Sequence, residues 1–146
     1  MSVTIRYLAP RDEARWRELF QGYVTFYEAE VASDVIDFTW RRLAGQTDNM
    51  VCLVAADETD RPAGFAALVF HRSTWSASWY CYLEDLFVDP LVRGGGIGRA
   101  LIEATYAEAD KRGANRTYWA TQEGNSTARR LYDQVGVLTE FVQYRR

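Results

Sequence analysis

The stretch LEDLFVDPLVRGGGIGRALIEATYAEADKRG, residues 83–113, decides how the rest of the chain is read. An apolar run carrying Glu84 and Asp85 ends at Pro90, and three consecutive glycines follow an arginine. A helical pattern starts directly afterwards, with Ile97, Leu101, Ile102 and Tyr106 on one face and Gly113 placed to stop it. The first turn of a helix leaves N–H groups without intrahelical partners, and the helix dipole puts partial positive charge there. An anion at that point gains about 0.3–1 kcal/mol per favourable interaction. Gly94, Gly95 and Gly96 carry no side chain that would hold an anion away, and Arg93 and Arg99 add positive charge. The spacing therefore predicts a phosphate cradle. It is not a P-loop, which needs GxxxxGK followed by Ser or Thr, nor a dinucleotide fold, whose glycines follow the first strand.

Upstream, MVCLVAA, AGFAALVFH and SWYCYLEDLFV read as three strands joined by short links, which favours an antiparallel meander. VTIRYLA is a further strand candidate near the start. Pro10 can open a first helix in which Trp16, Leu19, Phe20, Tyr23 and Tyr27 recur at spacings of three and four. Asp34 can cap a second helix, VIDFTWRRLA, closed by Gly45. Glu28, Glu30, Asp34 and Asp37 form either a solvated face or an acidic rim that draws in an amine. Downstream, NRTYWATQ reads as a strand, STARRLYDQVG as a helix and LTEFVQYRR as a last strand, so a parallel crossover follows the meander.

Composition bounds the function. The 146 residues, 48% hydrophobic and 14% aromatic, suit one domain over 1–146 with a sizeable core. A formal net charge of -3 gives no general attraction to nucleic acid or to an anionic membrane. No apolar run approaches the roughly 18 residues of a membrane span, and the N-terminus lacks the design of a signal peptide, so a cytoplasmic location is expected. Cys52 and Cys81 sit in apolar strand-like runs without a CxxC, and His71 is the sole histidine. Buried thiols are expected, with no metal site and no Ser-His-Asp triad.

Arg93, Gly96 and Gly98 stand in the spacing RxxGxG after YLEDLFVDP, which resembles the acetyl-CoA-binding motif of the GNAT superfamily of N-acetyltransferases. YLEDLFV with RGGGIGRALI is similar to the diamine and polyamine branch. YWATQEGNSTARRLYDQVG and FVQYRR are similar to a yeast-type branch acting on histones, polyamines or D-amino acids. The resemblance implies an α+β GNAT fold: a mixed sheet of about six to seven strands, with an antiparallel N-terminal meander and a splayed parallel pair, flanked by about four helices. Acetyl-CoA would be the cosubstrate, its pantetheine arm along Leu86, Phe87 and Val88 and beside Asn125. Its pyrophosphate would lie on the amides of Arg93, Gly94, Gly95, Gly96, Ile97, Gly98 and Arg99.

Acetyl transfer from a thioester needs a neutral nitrogen, oxyanion stabilisation and a proton for the leaving thiolate. Tyr132 matches the family's tyrosine near the coenzyme sulfur and is the expected proton donor; the N–H near Phe87 or Val88 is the oxyanion candidate. On a regular strand Glu84 and Asp85 point to opposite faces, and alternation does not say which meets the acceptor. The resemblance favours Glu84 as base through water, with Asp85 anchoring the substrate amine. The acceptor pocket is expected between the first two helices and the loop from Arg72 to Tyr80. Tyr27, Trp79 and Tyr80 would contribute to an aromatic wall for a cation, together with Trp16, Tyr23 and Trp75. The expected acceptor is a small-molecule or peptide amine: a polyamine, a lysine side chain or a small amine. The alternatives are an amino acid, including a D-amino acid, or a non-catalytic acyl-CoA-binding module. The terminal strand-like run implies a homodimer, as in similar family members.

Overall fold

The computed structural model describes residues 2–92 and 95–146. Its sheet has five strands in the order β1-β2-β3-β4-β5. They are β1 (Thr4–Tyr7), β2 (Met50–Ala56), β3 (Pro62–His71), β4 (Trp79–Val88) and β5 (Ala114–Tyr118). The first four pair antiparallel in succession, and β5 joins β4 in parallel. The helices are α1 (Glu13–Phe26), α2 (Ser33–Gly45), α3 (Ile97–Lys111) and α4 (Ser126–Val135). This is the mixed α+β GNAT fold the motif implied.

The strand count is lower than the six to seven expected. LTEFVQYRR forms no strand, because an extended run becomes one only by pairing its backbone with a neighbour, and residues 137–146 have no ladder partner here. Val137, Leu138, Phe141, Val142 and Tyr144 are 73–92% exposed. Asp34 lies inside the first turn of α2, whose N-cap is Ala32. The helix closes at Gln46, which takes the left-handed conformation expected near Gly45.

Each sheet face carries its own core. Under α3 lie Val51, Leu53, Leu68, Cys81, Leu83, Ile97, Leu101 and Ile102. Under α1 and α2 lie Trp16, Leu19, Phe20, Val24, Leu43, Cys52, Phe65 and Phe87. Both cysteines are buried free thiols. Full burial of such side chains is worth roughly 1.5–3 kcal/mol each. Trp16, wholly buried and stacked 4.9 Å from Phe20, therefore belongs to the core and not to an acceptor wall. Before α1, the buried Asp12 accepts from Ala9 N at 2.8 Å and from Arg6 Nη1 at 2.8 Å, which ties the helix start to β1.

One contact fixes the end of β4. A Cβ on Gly64 would lie 2.7 Å from the Phe87 carbonyl oxygen, so only glycine permits this approach of β3 to β4. Gly64→Ala should destabilise the fold by about 1–3 kcal/mol, read as a lower denaturant midpoint with an unchanged slope. An unchanged midpoint would show that β4 yields without cost.

Candidate active site

The β4–β5 ladder runs from Trp79↔Ala114 to Tyr82↔Tyr118 and stops there, while β4 continues to Val88 against β3. The two parallel strands thus part, as the resemblance implied. The gap opens onto a groove lined by Leu86, Phe87 and Val88 from β4 and by Tyr23, Phe26 and Tyr27 from α1 and its end. Gly96, Ile97, Gly98 and Arg99 line it at the start of α3, and Asn125, Thr127, Ala128, Leu131 and Tyr132 from α4.

At the start of α3, Gly96 caps the helix with φ +74°, a conformation that favours glycine, and a Cβ on Gly95 or Gly96 would meet nothing within 4 Å among the described residues. A Cβ on Gly98 would lie 3.3 Å from Leu131, so that glycine serves close packing of α3 on α4. Arg99 donates to Gln134 of α4. Asn125 precedes α4, its Nδ2 donating to Thr121 Oγ1 at 3.2 Å. Arg93 and Gly94 lie outside the described residues. The residues present fit a pyrophosphate at the α3 N-terminus and an extended thioester arm along β4.

The two acids depart from the regular strand. Ala67 pairs with Asp85 and Leu68 with Leu83, which leaves Glu84 as the extra residue of a β-bulge. Leu83, Leu86 and Val88 pack on the α3 side, whereas Phe87 packs on the α1 side and Asp85 meets Tyr23 of α1. Glu84 is exposed, yet its charge raises the pKa of both Tyr23 and Asp85. The regular alternation behind the expectation of opposite faces does not hold at this point of β4: the bulge at Glu84 interrupts it, and Asp85 lies on the α1 side.

Burial, with a smaller contribution from Glu84, pushes the Asp85 carboxyl up to about 6, against the hydrogen bond from the Tyr23 hydroxyl. Burial and the Asp85 charge raise the Tyr23 phenol. Burial, then Tyr27, pushes Tyr132 up to about 12, which keeps it protonated at neutral pH.

Trp79 and Tyr80 do not join Tyr27. They lie on the β5-paired half of β4, where Arg72 stacks 3.8 Å from the Trp79 ring and Arg116 4.5 Å from the Tyr80 ring. Tyr80 is buried, and Trp75 is exposed on its loop. Of the aromatics expected in the acceptor wall, Tyr23 and Tyr27 line the groove, whereas Trp79 and Tyr80 are not among its lining residues and stack with arginines instead. Tyr23, named with the other aromatics for that wall, lines the groove with its ring centroid 6.1 Å from that of Phe87 and 5.1 Å from that of Tyr27. Its spacing marked the face but could not single it out.

Among the described residues, no helix is long and apolar enough to cross a membrane, and no three His, Cys, Asp or Glu side chains group as a metal site.

The Asp85 shift has a signed consequence for stability. The folded value of about 6 lies above the ordinary 3.8, so Asp85's contribution is fully present below about 3.8 and is lost as pH rises through about 6. Asp85→Asn should therefore gain stability over the parent as pH climbs from about 4 to about 7, with no further gain above, in paired denaturant titrations. A difference constant across that window would show that Asp85 titrates normally.

Comparisons with known proteins agree with this geometry. Residues 14–137 match the Acetyltransferase (GNAT) family. The chain is 32% identical over 145 residues to the D-amino-acid N-acetyltransferase HPA3 of Saccharomyces cerevisiae, covering 99% of this chain and 90% of that protein. It is 34% identical over 105 residues to the thialysine N-epsilon-acetyltransferase of Bos taurus, covering 66% of this chain and 61% of that one. The fold superposes with a TM-score of 0.85, at 20% identity and over 100% and 98% of the two chains, on AAC(6′)-Iy in complex with the bisubstrate analogue CoA-S-monomethyl-acetylneamine. A strand pair parted beside a glycine cradle, with a tyrosine across the gap, thus belongs to a chain of the GNAT acetyltransferase family, whose acetyl donor is acetyl-CoA.

Proposed function

We propose that this protein transfers the acetyl group of acetyl-CoA to a primary amine of a polyamine, a lysine side chain or a small amine, by direct attack in a ternary complex. The observation that carries the reading is the groove itself, which joins the glycine cradle and Tyr132 to the wall beside the bulge acids. In this reading the amides at Gly95–Arg99 hold the pyrophosphate, with Arg93 and Gly94 completing the motif. Leu86, Phe87, Val88 and Asn125 hold the pantetheine arm.

The acceptor nitrogen, once neutral, attacks the thioester carbon. The oxyanion gathers at the main chain of Phe87 or Val88, and collapse breaks the C–S bond as Tyr132 gives its proton to the thiolate. The resemblance favoured Glu84 as base. Between the two acids, the affinity of Asp85 near neutrality suits it to take the amine proton, and Glu84, exposed beside it, adds the charge that attracts a cationic acceptor. Tyr27 flanks the acceptor side of the groove. A second reading, an amino-acid acceptor including D-amino acids, is favoured by the similarity to HPA3 over nearly the whole chain.

We also propose that two copies associate through residues 137–146. The run is rich in β-branched and aromatic residues whose side chains lie in solvent, and β5 ends the five-stranded sheet with an edge that a sixth strand, supplied by another copy, extends. Removing residues 137–146 should halve the mass measured by light scattering; an unchanged mass would place any association elsewhere.

Thiol release from acetyl-CoA, measured with spermidine, spermine, histone-tail peptides and D- and L-amino acids, tests the transfer and separates the acceptor classes. Tyr132→Phe should lower turnover by ~10²–10⁴ with nearly unchanged acetyl-CoA affinity. Parental turnover in that variant would remove Tyr132 from the mechanism.

A further inference from the structure

The groove reaches Tyr23 directly, and Asp85 stands beside that tyrosine's hydroxyl. Its ring packs with centroids 6.2 Å from Phe20, 5.1 Å from Tyr27, 6.1 Å from Phe65 and 6.1 Å from Phe87, and the groove opens beside it. Asp85 shares the α1-side face of β4 with Phe87, two residues on, so the contact that seats Tyr23 on Phe87 also brings its hydroxyl beside the carboxyl. The titratable groups that interact with Asp85 are Tyr23 from α1, Glu84 and Tyr82 on β4 itself, and the buried Cys52 thiol of β2, which the Asp85 charge pushes further up. Among the described residues, no cation acts on the carboxyl. Farther along the same wall, Tyr27 stands 5.1 Å from Tyr23 and acts on Tyr132, so phenols run from the carboxyl to the thiolate's proton donor.

We infer that Tyr23 is a catalytic proton relay, carrying a proton from the acceptor nitrogen in the groove to Asp85. The inference rests on the acetyl-transfer reading of the groove. In the step, an ammonium N–H bond breaks and its electron pair stays on nitrogen, while the Tyr23 oxygen forms a new O–H bond. The original Tyr23 O–H bond breaks at the same time and its proton bonds to an Asp85 oxygen. Tyr23 ends neutral, Asp85 ends as a carboxylic acid and the acceptor ends as a neutral amine ready to attack. Asp85 later returns the proton to solvent.

Tyr23→Phe keeps the packed ring and removes only the relay oxygen. With whichever amine of the panel above is acetylated, this variant should lose about 10²-fold in turnover at pH 7, the lower end of what general acid–base catalysis supplies, with acetyl-CoA affinity within about twofold of the parent. The acidic limb of the parent's pH–rate profile, near Asp85's titration at about 6, should give way to a rise that continues toward the pKa of the amine itself. Asp85→Asn should reproduce that profile, and the double variant should lose little more than either single one, as residues acting in one step do. An unchanged profile in an active Tyr23→Phe protein, or losses that multiply in the double variant, would overturn the relay while leaving the acetyltransferase reading intact. A parent that binds acetyl-CoA but acetylates no amine would instead overturn the functional reading and the relay that rests on it. Independent of activity, loss of the hydroxyl should move the Asp85 carboxyl titration, followed by carbon NMR, to higher pH; no movement would show that the two groups do not share a proton.

Discussion

The parting of β4 from β5 after Tyr82 and Tyr118 is the constraint on which the rest of the structure depends. A parallel pair that stayed together would bury the main chain of β4 in a ladder and leave no slot between the sheet and α4. Here β5 stops, β4 runs on against β3, and α1 and α4 face each other across the opening. The close approach at Gly64 holds the free-running half of β4 to its remaining neighbour. The cradle at the start of α3 lies at one end of the same slot, so a coenzyme seated on it has its reactive end directed between the helices.

The bulge at Glu84 sits close to this parting and changes the electrostatics of the slot. An extra residue in β4 brings Asp85 round to the aromatic side of the sheet, where α1 supplies Tyr23. Removal from water then acts on acid and phenol alike, since it disfavours the charged form of each. The Asp85 carboxyl is raised to about 6 and Tyr132 is kept protonated, which sets the proton affinities of the two groups apart. The same low-dielectric surroundings that build the α1-side core therefore tune the groups that line the groove.

Much of this was legible from local pattern. MVCLVAA coincides with β2, and the apolar positions Ile97, Leu101 and Ile102 are buried under α3 as their spacing required. Gly96, Gly98, Tyr132 and Leu86–Val88 line one groove, as the resemblance implied. The misses share a cause. Period-two alternation cannot register a bulge, so it could not place Asp85 on the α1 side. Strand-forming composition in 137–146 says nothing about whether a pairing edge is within reach. Nor could the neighbourhood of Trp79 and Tyr80 be read without knowing that Arg72 and Arg116 come to rest on their rings.

By itself, then, the sequence determined the order and type of most elements and pointed to the family, because helix starts, turns and apolar periodicity are properties of neighbouring residues. Only the tertiary structure decided which side chains share the groove. Tyr23 and Asp85 are 62 residues apart by number, and what joins them is the packing of α1 on the sheet together with one unpaired residue in β4. Register and helix docking are settled by long-range burial, and no local pattern carries that information.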